Sequence, residues 1–368
     1  MNRLIFLIAF CGITLPAHLF GAQKSDETPL PIISQEIPLK EVPVKDVPLK
    51  DDGVVVLKSW DNAGEILNLA VSIAAQSEPT TPEHKSYNDF IQGKWKRLKE
   101  LSLDGAKGFE ENELANIPSG AQVFYPFGGP DMVYPLVLFP KASNYILIGL
   151  EPTGTIDDTQ KPINYSYLKG MMTNIFNSGF FVTDKMNRNL KNTGTLPVLL
   201  GLIVKMECTP TKVEEIDLRG LKGIRIWFHN AYGDAQNVAY YQGDLTKIDP
   251  EIFGTSEIAL IKCCSYFMHG QNVPRLKKYL LKKVDYLIQD DTGIPLREII
   301  KTNRSNTFYG IYTKPYGNDF PWAVQPDLAE VYATKKNVKE LGFRVGYGFG
   351  RAPSNLMLSV LNHEEEAQ

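Results

Sequence analysis

The chain has 368 residues, 43% of them hydrophobic and 22% charged, with 29 Gly and 24 Pro, a composition that excludes disordered, fibrous and multi-span membrane proteins. The length allows one large domain or two medium ones. Lys and Arg number 39 against 42 for Asp and Glu, so there is no global positive charge to hold a phosphate backbone, which argues against a nucleic-acid partner.

Residues 1–22 read as a signal peptide. A short start carrying Arg3 leads into an apolar stretch from Leu4 to Leu15, then to Pro16 and the small residues Gly21 and Ala22. The apolar run falls short of the ~20 residues that span a bilayer. The reading is therefore export to the periplasm or the extracellular space, with no transmembrane span in the mature chain; the alternative is an N-terminal anchor. Cleavage is placed after Ala22, with Ala17 as the other position. Phe10 stands where lipoprotein processing needs a small residue before Cys11.

Residues 23–53 change character. Glu36 to Lys50 is a threefold pentapeptide, EIPLK-EVPVK-DVPLK, and its evenly spaced prolines preclude a regular helix or central strand. An extended, polyproline-like tether is expected. A helical subdomain over 54–117 and an α/β body over 118–368 follow.

In the helical part, 62–76 carries apolar residues at helical spacing, with Asp61 as the expected N-cap and Pro82 beyond its end. Tyr87, Phe90, Ile91, Trp95, Leu98 and Leu101 form one buried stripe of a second helix, with Lys94, Lys96, Arg97 and Lys99 on a solvated face. Beyond these, 121–127 reads as a strand, Gly128 to Asp131 as a turn, 132–139 as a short helix and 144–150 as a strand that ends at Glu151. This is the layout of a βαβ unit.

Helices are expected at 167–177 and 196–205, and strands at 225–228 and 238–241, joined by a turn at Tyr232-Gly233-Asp234. A second βαβ pattern runs through strand 257–265, basic helix 273–283 and strand 285–288 into Gln289-Asp290-Asp291-Thr292-Gly293 and a helix over 294–300. A strand at 307–312, a helix at 327–333 and a β-like stretch at 342–349 complete the series. The fold class is α/β: a mixed, partly parallel sheet with flanking helices and a helical N-terminal subdomain.

Open α/β sheets gather ligands beyond the carboxyl ends of their strands. Three acidic loops belong there, supplying Asp131, Glu151, Asp290 and Asp291. If they converge, their carboxylates hold Mg2+ or Ca2+, or work as a general acid and base; taken singly, each is a helix or turn cap. Of the Asp290-Asp291 pair, Asp291 is expected to cap and Asp290 to face the cleft.

The stretch Lys262 to His269 (KCCSYFMH) is the densest reactive cluster. Ser265 or a cysteine thiolate with His269, oriented by Asp290, fits the logic of nucleophile, base and orienter. Apart from Cys11, the cysteines are Cys208, Cys263 and Cys264. An odd number leaves one thiol unpaired, and either Cys208 bridges one of the vicinal pair or all three are buried as small hydrophobes.

No Cys-x-x-Cys pair supports zinc, and no Gly-x-Gly-x-x-Gly turn supports a nicotinamide dinucleotide, so the cofactor is left unassigned. Tyr232, Tyr240, Tyr241, Tyr309, Tyr312, Tyr316 and Trp322 either line a small-molecule or saccharide cleft or belong to the core and its rim.

Phe124 to Asp131 (FYPFGGPD), Phe139 to Gly154, Lys262 to His269, Gln289 to Pro295 (QDDTGIP) and Ser354 to Met357 (SNLM) together resemble a family of exported bacterial proteins. The resemblance spans about Trp60 to Leu361. It implies an exported bacterial protein with one continuous body, and carries no activity, cofactor or catalytic residue with it. Two functions therefore stand side by side. One is a hydrolase-like enzyme with an acidic cleft built on Asp131, Glu151, Asp290 and His269; the other is a non-catalytic envelope protein that binds a ligand or partner. Oligomeric state is left open.

Overall fold

The computed structural model describes residues 53–183, 190, 193–313, 320–335, 337–349 and 354–363. The leader and all but the last residue of the tether lie outside them. All described residues fall in one compact unit, Val44–Gln368.

The chain begins with β1 (Val54–Trp60), α1 (Ala63–Ile73), α2 (Pro82–Leu98), a π-helical turn (Lys99–Leu103), α3 (Asp104–Glu113), β2 (Gln122–Tyr125), α4 (Val133–Leu138) and β3 (Asn144–Gly149). It continues through α5 (Ile156–Thr159), α6 (Tyr165–Ser178), α7 (Leu196–Lys205), β4 (Thr209–Leu218), β5 (Leu221–His229), β6 (Ala235–Gln242) and β7 (Ile258–Ile261). The last elements are α8 (Pro274–Lys282), β8 (Tyr286–Gln289), α9 (Leu296–Ile299), β9 (Arg304–Gly310), α10 (Pro326–Thr334), β10 (Val338–Lys339) and β11 (Asn355–Leu361).

The strands form one sheet in the order β1-β4-β5-β6-β3-β2-β7-β8-β11-β9-β10. Its centre, β6-β3-β2-β7-β8, is parallel. Antiparallel wings extend it through β5, β4 and β1 on one side and through β11 and β9 on the other. The expected mixed, partly parallel α/β sheet is thus the architecture of the body.

Central strands are short apolar runs because both of their faces are covered. Val123, Tyr125, Tyr145, Leu147 and Leu260 point into one core, together with Ile66, Ile91, Phe109, Phe176 and Leu200 from the helices. Their neighbours Phe124, Ile146, Ile148, Ala259 and Ile261 point into the other, with Leu276, Ile299 and Leu328. The chain builds outward from β2 to β3 and β6, then returns to place β7 and β8 on the other side of β2. The order therefore reverses between β2 and β7.

Several local expectations differ from the structure. Residues 54–117 are not purely helical: they open with β1, which pairs antiparallel with β4. Asn62 rather than Asp61 caps α1, accepting from Glu65 N at 3.2 Å, while Asp61 accepts from Ser59 Oγ at 2.8 Å. Pro82 opens α2 instead of closing α1, because proline's missing N–H costs nothing in a first turn; Thr81 Oγ1 caps that turn.

No strand was expected over Thr209–Leu218, where inward Val213, Ile216 and Leu218 alternate with charged residues of low β-propensity. The stretch 342–349 holds a 3-10 turn, Gly346–Gly348, and no strand; the last strand is β11. Arg304 fastens it in place, donating to Ser359 O at 2.8 Å and Ser359 Oγ at 3.0 Å, and to Val284 O at 2.8 Å and Asp285 O at 3.0 Å.

Candidate functional site

The reversal between β2 and β7 marks the crevice where open α/β sheets hold ligands. On its near side, Gly129 takes a left-handed φ of 54°, and a Cβ there would lie 3.3 Å from Glu151 Oε2. The tight turn thus brings the loop after β2 against the end of β3. Glu151 is buried and fully engaged. Thr183 Oγ1 donates to Oε1 at 2.6 Å, and Tyr240 OH donates to Oε2 at 3.2 Å and to the main-chain O at 2.8 Å.

Asp131 is buried as well. Its Oδ1 accepts from the amides of Val133 and Tyr134 at the start of α4, and its Oδ2 accepts from Tyr125 OH at 3.1 Å. The same oxygen lies 2.9 Å from Lys262 Nζ, which also donates to Gly179 O at 2.6 Å and sits 4.1 Å above the Tyr134 ring. Both Asp131 and Lys262 are sealed from solvent. The crevice between β2 and β7 is filled at this level by the protein's own ion pair.

One residue further on, the backbone is strained. Cys263, Ser265 and Tyr266 have φ values of 52°, 51° and 56°, a left-handed conformation that costs a non-glycine residue roughly 1–2 kcal/mol. The loop after β8 holds them there. Asp290 Oδ2 accepts from Cys263 N at 2.9 Å, and Thr292 takes Cys264 N on Oγ1 at 3.0 Å and the Cys264 thiol on its carbonyl at 2.7 Å. Asp290 Oδ1 closes its own turn by accepting the amide and hydroxyl of Thr292.

Gly346, with φ 66°, packs so near Asp290 Oδ2 that a Cβ would approach it to 2.5 Å. Burial raises the Asp290 pKa, opposed by these donors and by Lys262. Asp290 is therefore the turn-former, and the expected roles of the two aspartates are exchanged.

Asp291 is the partly exposed member of the pair. Its carboxylate accepts from Tyr266 OH at 3.1 Å and from Asn355 Nδ2 at 3.3 Å, while its amide donates to Asn355 Oδ1 at 2.9 Å. Burial, and then the neighbouring Asp290 charge, push its pKa up to about 7. Around it, the Tyr266 ring touches those of His269, Phe320, Trp322 and Tyr347, with centroids 5.1 to 6.4 Å apart. Exposed Ser265 places its Oγ 2.9 Å from Tyr347 OH.

His269 does not act on Ser265 or Asp290. Its Nε2 donates to the main-chain O of Asp291 at 3.1 Å, and burial lowers its pKa to about 4, so it is neutral. The cysteines are no better as nucleophiles: all three are free, and burial raises the Cys208 and Cys264 thiols to about 12 and Cys263 well upward. The expected triad logic is not met, because each member is satisfied by a different neighbour.

Nor do the acids form a ligand set. Among the described residues, no group of three or more His, Cys, Asp or Glu could hold a metal ion. The expected aromatic cleft is met only in part: Trp322 packs on Tyr266 beside Asp291, and Tyr312 stacks on Tyr332 and accepts from Gln325 N, but Tyr240, Tyr241 and Tyr309 are core residues, Tyr232 tips a hairpin, and Tyr316 lies outside the described residues. Lys262, Tyr266 and Asn355 fall inside the KCCSYFMH and SNLM motifs, whereas Tyr347 carries no such signal in the sequence.

No family model matches the chain, and no curated protein does. Among solved structures, the plantazolicin methyltransferase BpumL in complex with SAH is similar at a TM-score of 0.29 and 9% identity, covering 82% of this chain and 98% of that one. The same enzyme with a pentazolic desmethylPZN analog and SAH gives 0.29 and 10%, covering 82% and 100%. Likeness at this level carries no functional inference.

Two outcomes follow from the geometry. Lys262→Met leaves a buried carboxylate without its counter-charge and should cost about 3–5 kcal/mol in urea unfolding, whereas the double change with Asp131→Leu should recover much of that loss. Asp291 binds its proton more tightly folded, near 7, than its ordinary value of 3.8. Its contribution to stability is therefore full below that value and is lost as pH rises toward 7. Unfolding free energy measured across this window should slope downward for the wild type and lie flatter for Asp291→Asn.

Proposed function

We propose that the chain is an exported, hydrolase-like enzyme whose working group is the Asp291 carboxyl. The observation that carries this reading is the placement of a partly exposed carboxyl beside a loop with three left-handed non-glycine residues, since strain of that kind is maintained where function needs it. A carboxyl that titrates near 7 exchanges a proton readily at neutral pH.

Tyr266 OH and Asn355 Nδ2 fix the carboxylate. In that arrangement Asp291 takes a proton from a water whose oxygen bonds to the electrophilic centre, then returns it to the leaving group. Ser265 and Tyr347 present hydroxyls at the rim. His269, neutral and bonded to the Asp291 carbonyl, is a positioning residue.

A second reading, a non-catalytic ligand-binding protein, is favoured by Glu151 beside Gly129. At the switch point of an α/β sheet, an acid ending the second strand is where a ribose hydroxyl binds. Thr183 and Tyr240 would have to release the carboxylate first.

Hydrolysis of p-nitrophenyl esters, glycosides and phosphates tests the first reading. One class should be turned over with a pH inflection near 7, and Asp291→Asn should lower kcat by about 10²–10⁴-fold. No turnover of any class, together with a thermal shift from adenosine, would replace it by the second. The export component rests on the leader at 1–22 and is tested by intact mass from the native host: a mass that retains those residues overturns it.

A further inference from the structure

On the helical side of the sheet, away from the loops of the acidic site, three lysines stand over aromatic rings. Lys94 of α2 and Lys169 of α6 both approach the Phe90 ring, with Nζ 5.7 Å and 4.5 Å from its centroid. Further along the same two helices Trp95 meets Phe176 edge-on at 6.1 Å. There Lys205, the last residue of α7, brings its Nζ to 5.8 Å from the Trp95 ring.

Among the described residues, none of these three ammonium groups has a carboxylate partner. Lys94 donates only to the neutral Asn177 Oδ1, at 2.8 Å, which leaves the Asn177 amide N–H groups as further donors beside it. Lys205 is only 4% exposed, its ammonium at the margin of solvent, and its side chain makes no hydrogen bond or ion pair with the described residues. Burial acts on it unopposed and lowers its pKa to about 8. Lys96 and Arg97, exposed on the last turn of α2, add two more charges with no ion pair among the described residues.

A largely buried lysine with no counter-ion is unusual, since lysines are almost never so buried unless paired. Elsewhere in this molecule the buried lysines follow that rule: Lys262 has Asp131 and Lys277 has Glu298, each at 2.9 Å. Lys205 is the exception, its ammonium at the solvent margin and open to an anion from outside the chain.

We propose that Lys94, Lys169 and Lys205, with Asn177, form a cationic strip that binds phosphate oxyanions, with Phe90 and Trp95 as its apolar floor. Lysine serves phosphate as a point charge and needs no planar, bidentate partner. Free phosphate and the phosphodiester headgroup of an anionic lipid share this chemistry. Half-exposed Phe90 and Trp95 suit either, since aromatic rings next to lysines are at home at a lipid interface.

The test uses the full chain. Thermal unfolding with inorganic phosphate, against chloride at equal ionic strength, should show a rise of about 2 °C in Tm for the wild type. The rise should be absent in Lys205→Met and reduced in the Lys94→Met, Lys169→Met double variant, which changes less buried positions and guards against a folding defect at Lys205.

Co-sedimentation with phosphatidylcholine vesicles, with and without phosphatidylglycerol, separates the sources. Binding that needs phosphatidylglycerol and falls in the same variants assigns a lipid headgroup, and a phosphate response without vesicle binding assigns a soluble phosphate. No response to phosphate or vesicles, or a full response retained by Lys205→Met, overturns the proposal.

Discussion

Two consecutive residues at the end of β7 hold the working edge of the sheet together. Lys262 reaches toward β2 and pairs with Asp131, while the amide of Cys263 reaches toward β8 and is accepted by Asp290. The strand thereby ties the loop on each side of it to one fixed point. Everything beyond, including the left-handed turn at Ser265 and Tyr266, takes its direction from that fixture. A buried ion pair is weak evidence of stability; what it does here is join the loop after β2 to the end of β7 through contacts that hold both charges. The expense is visible in the aromatic rings and the carbonyl gathered around the Lys262 ammonium.

This anchoring divides the acidic residues by task. Asp131, Glu151 and Asp290 are engaged in shaping loops, each by several donors. Asp291 has the same side chain one position along, yet the alternation of the turn sends it outward to Tyr266 and Asn355 instead of back into the backbone. Side-chain type marked four candidates; only the direction of each side chain separates the structural ones from the available one.

That distinction explains how far the sequence could be read. The central parallel strands were legible because burial on both faces leaves continuous apolar runs, as in Asn144–Gly149 and Tyr286–Gln289. The loops at their carboxyl ends were legible for the same reason, as the positions where those runs stop at acids and glycines. β4 was not, because four of its ten residues, Lys212, Glu214, Glu215 and Asp217, are charged and interrupt any apolar run. β11 was not either, since a strand inserted late between two earlier ones leaves no local sign of its neighbours. The exchange of Asp290 and Asp291 was beyond reach, because it depends on Gly346 and Asn355, more than fifty residues downstream.

The position of β11 bears on how the molecule is assembled. β8 and β9 are consecutive in the chain but do not pair with each other; β11 lies between them and bonds to both. Until residues 355–361 have been synthesised, the sheet has a slot in it, with two bare strand edges facing one another and Arg304 lacking its acceptors on Ser359. Open strand edges invite pairing with other chains. A chain that has emerged no further than β10 therefore presents two open strand edges at once, and the insertion of β11 closes both in a single step.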